Sequence, residues 1–186
     1  GQTVTINGGA TARRKITLNP DGFLHCDGVA GSYASVPDPI GSLGDFTLQV
    51  DGLSPETVRP AATYVSLMSQ YGGSAAAASF NLRIYDSGLV YLFLFDASSY
   101  ETLITAAAVP TDTVGIRVTR VGTLITYWVD TGSGYVSHDT DTSVGTVLNN
   151  PTAPLEIGAF NAAAGGPLLG TISRAQVWDN GTAAGT

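Results

Sequence analysis

The stretch that decides the fold is Pro154–Asp179, which reads PLEIGAFNAAAGGPLLGTISRAQVWD. In its first run, Leu155, Ile157 and Ala159 occupy alternate positions and therefore share one face of an extended chain. A second run of similar texture follows the small-residue loop that contains Gly165-Gly166-Pro167. Alternation of period two predicts strands with one buried face, and the glycines and proline interrupt both strand and helix. The stretch is therefore predicted to be a hairpin that closes a β-sheet.

The composition extends this prediction to the whole chain. At 186 residues the chain is long enough to bury a sizeable core and is most simply one domain. It has one Lys, three Glu and one Met, so the best surface helix formers are nearly absent, whereas Val, Thr, Tyr and Phe favour strands. We count about a dozen short strands with turn signals between them, a pattern typical of a β-sandwich or barrel.

Two hairpins are the clearest local predictions. Residues 79–85 and 89–95 alternate strongly and are joined by the three-residue turn Asp86-Ser87-Gly88. The second strand of this pair is apolar on both faces, so we place it inside a sheet. Residues 114–120 and 124–130 form a similar pair. We expect a polar loop over residues 131–142 and a short strand from 144 to 148.

The sequence pattern of the N-terminal region differs from that of the rest, so we divide the chain into residues 1–30, 31–180 and a tail, 181–186. Two short alternating runs, 3–6 and 15–18, flank an Asn-Gly-Gly turn signal, which predicts an arm or an added hairpin. Cys26, the only cysteine, has no partner for a disulfide and is expected to be a small core residue.

Four motifs in order along residues 30–180 resemble the laminin-G-like domains of the concanavalin-A-like lectin superfamily. The closing stretch fits the family pattern with Ile157-Gly158 and Val177-Trp178-Asp179. The other motifs are Tyr33-x-x-Val36-Pro37 with Phe46-Thr47-Leu48-x-Val50, then Val118-Thr119-Arg120-x-Gly122, then Tyr127-x-Val129-Asp130-x-Gly132. The resemblance implies a jelly-roll β-sandwich of about a dozen antiparallel strands.

The same resemblance implies the classes of function to consider. Domains of this kind occur as binding modules in secreted adhesins and in bacteriophage virions, as capsid decoration or minor tail proteins. The absence of disulfides, the excess of Arg over Lys and the Gly- and Thr-rich N-terminal segment favour a virion protein. Its partners would be virion subunits or copies of itself, for example in a trimer. The alternative is a secreted bacterial carbohydrate-binding module or lectin, and the second alternative is a degenerate glycoside hydrolase.

Charge narrows the set of partners. The net charge of −7 and the scattered basic residues argue against a nucleic-acid partner, which requires a positive face. The one basic cluster, Arg13-Arg14-Lys15, is assigned to the assembly arm. The alternative is that these are solvated charges on an edge strand, where they block unwanted strand pairing. No apolar run reaches about 18 residues, so we expect no membrane partner.

No catalytic residues are predicted. A retaining glycosidase needs two carboxyl groups about 5–5.5 Å apart, and the three glutamates are isolated in the sequence. The only histidines are His25 and His138, and no Gly-x-Ser-x-Gly elbow accompanies them. We therefore expect a protein that is not an enzyme.

Calcium is the only cofactor considered, because the resemblance implies a calcium site at the rim of some sandwiches. Asp139 and Asp141 in the expected 131–142 loop are the candidate ligands, with Asp96 beside Ser98 and Ser99 as another source of oxygens. The alternative is that these are ordinary solvated loop acids.

Glycan binding would require exposed aromatic side chains. Tyr71, Tyr100 and Tyr135 lie in or beside predicted loops and are the candidate ligand-binding residues. The alternative is that they are amphipathic residues half-buried at strand ends. A host-surface glycan is the expected ligand. The protein is expected on the virion surface or, in the alternative, as a secreted protein.

Overall fold

The computed structural model describes residues 2–4, 17–18, 23–36, 43–145, 148–149, 152–161 and 165–179. The assembly-arm residues Arg13, Arg14 and Lys15 and the tail 181–186 lie outside the described residues. No helix among the described residues is long and apolar enough to span a membrane.

The described part of the chain consists of short strands with one α-helical turn, α1 (Pro55–Val58), and one 3-10 turn at Ala75–Ala77. The strands are β1 (Gln2–Val4), β2 (Thr17–Leu18), β3 (Leu24–Asp27), β4 (Ala34–Val36), β5 (Phe46–Asp51), β6 (Tyr64–Tyr71), β7 (Ala78–Tyr85), β8 (Val90–Phe95), β9 (Tyr100–Ile104), β10 (Gly115–Val121), β11 (Leu124–Asp130), β12 (Tyr135–Thr142), β13 (Leu155–Ile157), β14 (Leu169–Ile172) and β15 (Arg174–Asp179).

The strands form two six-stranded antiparallel sheets and a small third one. Sheet I has the order β1-β15-β5-β10-β11-β12, and sheet II has the order β4-β13-β6-β7-β8-β9. The third sheet has the order β14-β3-β2. The all-β sandwich predicted from the sequence is confirmed, and β8 lies inside sheet II as its two apolar faces predicted.

The core lies between sheets I and II and follows the period of two. In sheet I, Phe46, Leu48 and Val50 of β5 are buried at alternate positions, as are Ile116 and Val118 of β10. Sheet II contributes alternate residues in the same way, namely Phe80, Leu82, Ile84, Val90, Leu92 and Leu94. Burial of these side chains is the main favourable term in folding. It also fixes which side chains of each strand point outward.

The closing stretch is not a hairpin, and this prediction was wrong. β13 pairs with β4 and β6 in sheet II, whereas β15 pairs with β1 and β5 in sheet I. Between them β14 pairs with β3 in the third sheet. The chain thus crosses from one sheet to the other, and Gly158 and Gly170 take positive φ along the crossing, a conformation that glycine adopts at little cost.

Three other local predictions differ from the structure. The expected polar loop 131–142 is largely strand β12, a polar strand at the edge of sheet I. The expected strand 144–148 is not a strand at its described residues, 144, 145 and 148. Strand β9 carries no strong alternation and was not predicted, although it forms the edge of sheet II.

The N-terminal region contributes to the body of the sandwich. β1 pairs with β15 and β2 pairs with β3, so in the described residues the two runs pair elsewhere rather than with each other, against the hairpin prediction. Leu24 and Cys26 of β3 belong to the main core. Burial raises the pKa of the Cys26 thiol to about 11, as expected for a packed core residue.

Candidate functional site: an aromatic cage on sheet II

The outer face of sheet II carries several large side chains. Because the core takes alternate residues of β7 and β8, the residues between them must point away from the core. On β7 these include Asn81, Arg83 and Tyr85, and on β8 they are Tyr91, Phe93 and Phe95. The same alternation that builds the core therefore builds an aromatic outer surface.

Eight aromatic rings on this face form a closed circuit of neighbours. Adjacent ring centroids lie between 4.0 Å (Tyr85 to Tyr91) and 6.3 Å (Tyr64 to Phe160) apart. We call this circuit, together with Arg83, the aromatic cage. In order around the circuit, its rings are Tyr64, Tyr85, Tyr91, Phe93, Tyr100, Phe95, Tyr71 and Phe160.

Arg83 stacks against three members of the circuit. Its guanidinium carbon lies 4.4 Å from the ring centroid of Phe160, 4.5 Å from that of Phe93 and 4.7 Å from that of Tyr64. These distances are within the range of cation–π attraction. The side chain is half-buried, and its Nε atom is buried without a hydrogen-bond partner among the described residues.

A groove of about 570 Å³ opens on the cage. Its volume is within the range of small-ligand sites in proteins. The lining combines aromatic surface, one cation and hydroxyl groups, and it consists of Tyr71, Ala75, Arg83, Phe93, Phe95, Ser98, Ser99 and Tyr100. Tyr100 is the most accessible ring of the cage, with 61% of its surface exposed.

Asp96 fixes the loop that supplies the two serines. Its Oδ1 atom accepts hydrogen bonds from the Ser98 amide at 2.7 Å and the Ser99 amide at 2.6 Å, and both hydroxyl groups also donate to the carboxylate. These hydrogen bonds lower the pKa of Asp96 to about 2, because they favour the charged form. Asp96 therefore stabilises its own loop, and the loop holds Ser98 and Ser99 beside Tyr100.

Phe160 reaches the cage from the segment that follows β13. A bridge between Phe160 and Gly165 closes this segment, and the Ser66 amide donates to the Gly166 carbonyl at 2.9 Å. A Cβ atom at Gly165 would lie 2.3 Å from Cζ of Phe160, so any larger residue would have to displace the ring. The crossing between the sheets thus places one wall of the cage.

Comparison with known proteins identifies the fold. No family model and no curated protein matches the sequence. Among solved structures, tailspike protein 2 of bacteriophage CBA120 superimposes with a TM-score of 0.58 at 13% identity, over 83% of this chain and 25% of that one. The mouse laminin α1 chain, domains LG4-5, gives a TM-score of 0.53 at 14% identity, over 84% of this chain and 40% of that one. The chain has the laminin-G-like jelly-roll fold.

A bacterial protein has the same architecture. NanB sialidase from Streptococcus pneumoniae superimposes on this jelly roll with a TM-score of 0.55 at 15% identity, over 85% of this chain and 25% of that one. This chain spans a quarter to two fifths of the length of these three proteins. The resemblance stated from the sequence motifs is confirmed at the level of the fold.

The jelly roll brings together two of the three predicted tyrosines. Tyr71 and Tyr100 both line the groove, although they lie on different strands, β6 and β9. Tyr135 lies on β12 in sheet I, where its hydroxyl donates to Asp51 at 2.6 Å and its ring stacks on Arg117 at 4.0 Å. Burial and the bond to Asp51 raise the pKa of Tyr135. Its polar end is therefore already engaged within the fold.

The two candidate calcium ligands contact backbone amides. Asp141 accepts a hydrogen bond from the Ile104 amide at 3.1 Å, and Asp139 accepts one from the Ala106 amide. Both residues lie on strand β12 rather than in a loop. Within the described ranges no group of three or more His, Cys, Asp and Glu side chains is placed to hold a metal ion.

Most residues of the aromatic cage were not predicted from the sequence. Arg83, Phe93 and Phe160 were not proposed as site residues, because the first two were assigned to strands and the third to a closing hairpin. The signal for Phe93 was present, since β8 is apolar on both faces and only one face can join the core. No sequence signal brings Phe160 to Arg83, which lies 77 positions earlier.

Proposed function

We propose that this jelly roll is a glycan-binding module that holds a sugar in the groove of the aromatic cage. The observation that carries the proposal is the exposed Tyr100 ring beside Tyr71, Phe93 and the hydroxyl groups of Ser98 and Ser99. A pyranose has apolar C–H faces and a rim of hydroxyl groups. Aromatic surface with a few oriented polar groups is the combination that binds such a ligand.

We propose binding without catalysis. The described residues that line the groove include no Asp, Glu or His, so they offer no carboxyl or imidazole group for general acid–base catalysis where the sugar would lie. Two acids follow lining residues directly in the sequence, and the first, Asp96, accepts four hydrogen bonds from its own loop. Glu101 accepts from the Ser143 hydroxyl and the Val144 amide.

The test is a screen of the purified chain against an array of neutral and acidic glycans, followed by titration calorimetry on any that bind. Tyr100→Ala should weaken binding about tenfold or more, because it removes the accessible stacking surface. Tyr135→Ala is the matched control and should leave binding unchanged, since Tyr135 is on sheet I. If no glycan binds saturably, or if both variants weaken binding equally, the proposed function is wrong.

We also propose that the module is displayed on a bacteriophage virion, as a capsid decoration or minor tail protein. Support comes from the shared fold with a phage tailspike protein and from the absence of disulfides in the sequence. The basic triplet Arg13-Arg14-Lys15 is assigned to attachment on an acidic subunit surface. A secreted carbohydrate-binding module is the second candidate, and sialidase NanB provides an example of the fold in a carbohydrate-active protein.

Neutralising the triplet separates these two placements. Virions of the phage encoding the chain would be prepared with Arg13→Ala, Arg14→Ala and Lys15→Ala combined, and the bound chain quantified by mass spectrometry. We expect loss from the particle with unchanged glycan binding. Absence of the unmodified chain from purified virions would instead favour the secreted module. Deleting residues 1–28 would be a poorer test, because Leu24 and Cys26 belong to the core.

A further inference from the structure

Arg83 is the exception among the arginines of the described residues. Four arginines donate to an acceptor in the protein: Arg59 to the Val58 and Val109 carbonyls, Arg117 to Gln49, Arg120 to the Gly122 carbonyl and Arg174 to Asp51. The guanidinium of Arg83 has no hydrogen bond or ion pair to any described residue. Its guanidinium carbon lies over the rings of Tyr64, Phe93 and Phe160.

The N–H donors of Arg83 have no acceptor among the described residues. A guanidinium has five N–H donors, and cation–π contacts do not supply a hydrogen-bond acceptor to them. Burial of the Nε–H donor without an acceptor costs free energy, and a partly desolvated charge without a counterion costs more. A side chain held in this state by three rings is preorganised to receive an acceptor from outside the protein.

The position of Arg83 in the groove defines what that acceptor can be. Arg83 is the only charged residue among the described residues that line the groove, and the hydroxyl groups of Ser98, Ser99 and the tyrosines lie in the same lining. The net charge of the protein is −7, so long-range attraction does not bring anions to this surface. Selection of an anion must therefore come from the short-range geometry of Arg83 itself.

We propose that the groove takes a carboxylated sugar, with the carboxylate on the Arg83 guanidinium and the sugar ring against the aromatic wall. This inference rests on the proposed glycan-binding function and names the class of glycan. The planar fork of arginine matches the two oxygens of a carboxylate, and such charge-assisted pairs are the strong class of hydrogen bond. The aromatic wall provides the surface for the uncharged remainder of the ligand.

The experiment compares two forms of one ligand by titration calorimetry. Trigalacturonic acid carries free carboxylates, and its methyl ester has the same sugar rings without the charges. We expect the acid to bind roughly tenfold or more tightly than the ester, because hydrogen bonds between two charged groups are the strong class. Sialyllactose and lactose form a second pair, which distinguishes a sialic acid from a uronic acid as the source of the carboxylate.

Three variants test whether a preference for the acid over the ester depends on Arg83. Arg83→Met should bind acid and ester equally, and Arg83→Lys, which keeps the charge but loses the fork, should keep only part of the preference. Arg174→Met removes an exposed charge from sheet I and should behave like the unmodified chain. Circular dichroism of each variant checks that it is folded, and Arg83→Lys keeps the test valid if Arg83→Met fails to fold.

The outcomes separate this inference from the proposed function. Equal binding of acid and ester, or a preference that persists in a folded Arg83→Met variant, would overturn the carboxylate assignment and leave a neutral-glycan module. Preference for a sulfated sugar over a carboxylated one would also overturn it. Binding of no glycan in any arm would overturn both.

Discussion

The outer faces of the two sheets each present an arginine stacked on tyrosine, but only one of these arginines is satisfied. On sheet I, Arg117 stacks on Tyr135 and donates to Gln49 at 2.8 Å. Gln49 and Tyr135 in turn donate to Asp51. On sheet II, Arg83 stacks on three rings and has no acceptor among the described residues.

This difference distinguishes a hydrogen-bond network that supports the fold, on sheet I, from the candidate site on sheet II. The sheet I network places Asp51 where three donor groups converge, because Arg174 also pairs with it at 2.8 Å. Burial alone would raise the pKa of Asp51, but the hydrogen bonds from Arg174, Tyr135 and Gln49 lower it below its usual value. A network that uses its donors and acceptors internally stabilises the sheet, whereas donors left over inside an aromatic cage are available to a ligand.

The largest expected contrast in stability comes from removing the central group of each face. Asp51→Ala leaves Gln49, Tyr135 and Arg174 without their acceptor, and we expect a loss of about 2 kcal/mol in the free energy of unfolding. Arg83→Met replaces an unpaired cation with an apolar side chain and should change stability by less than about 1 kcal/mol. Urea unfolding measures both, and a larger loss for Arg83→Met would break the comparison.

A smaller effect is expected from the wall of the cage. Gly165→Ala would place a methyl group within 2.3 Å of the Phe160 ring and should push that ring away from Arg83. We expect a cost of about 1 kcal/mol, at the low end for overpacking, together with several-fold weaker glycan binding. Gly44→Ala is the control, because nothing lies within 4 Å of its added Cβ. Unchanged binding by Gly165→Ala would mean that Phe160 is not part of the site.

The smallest expected effect is on the pH dependence of stability, through the loop of Asp96 at the border of the candidate site. Because the folded pKa of Asp96 is about 2, below the unfolded value of about 3.9, its contribution to stability is present above the unfolded pKa. It is lost as the pH falls through the folded value. The difference in melting temperature between the unmodified chain and Asp96→Asn should therefore be constant above about pH 5 and shrink between about pH 4 and 2. A constant difference down to pH 2 would contradict this account.

The sequence predicts the parts of the fold that are local. The hairpins β7–β8 and β10–β11 were predicted because each pair is adjacent in sequence and its alternation sets the register. The crossing of the closing stretch was not predictable, because alternation shows that a strand has a buried face but not which sheet it joins. Strand β12 was taken for a loop because none of its residues is buried, so its sequence shows no apolar alternation. Its acidic residues Asp141 and Asp139 accept hydrogen bonds from the amides of Ile104 in β9 and of Ala106 just beyond it.

The candidate site follows the same division. Tyr71 and Tyr100 were found because aromatic residues beside loops are recognisable in sequence, and the fold brings both to the groove. Tyr135 has the same local appearance but is engaged by Asp51, a partner 84 positions away. That Arg83 has no acceptor among the described residues depends on the packing of segments distant in sequence, and the residues beside it in the sequence do not indicate it.

The three acidic side chains between β9 and β12 have a consequence for how the protein behaves in concentrated solution. The carboxylates of Asp139, Asp141 and Glu101 accept hydrogen bonds from the amides of Ala106, Ile104 and Val144, where the edges of the two sheets meet. An open margin of this kind is a template on which another chain can add a strand and begin an aggregate. Here intramolecular carboxylates already hold those donors, and their negative charge repels a second copy that approaches along the same side.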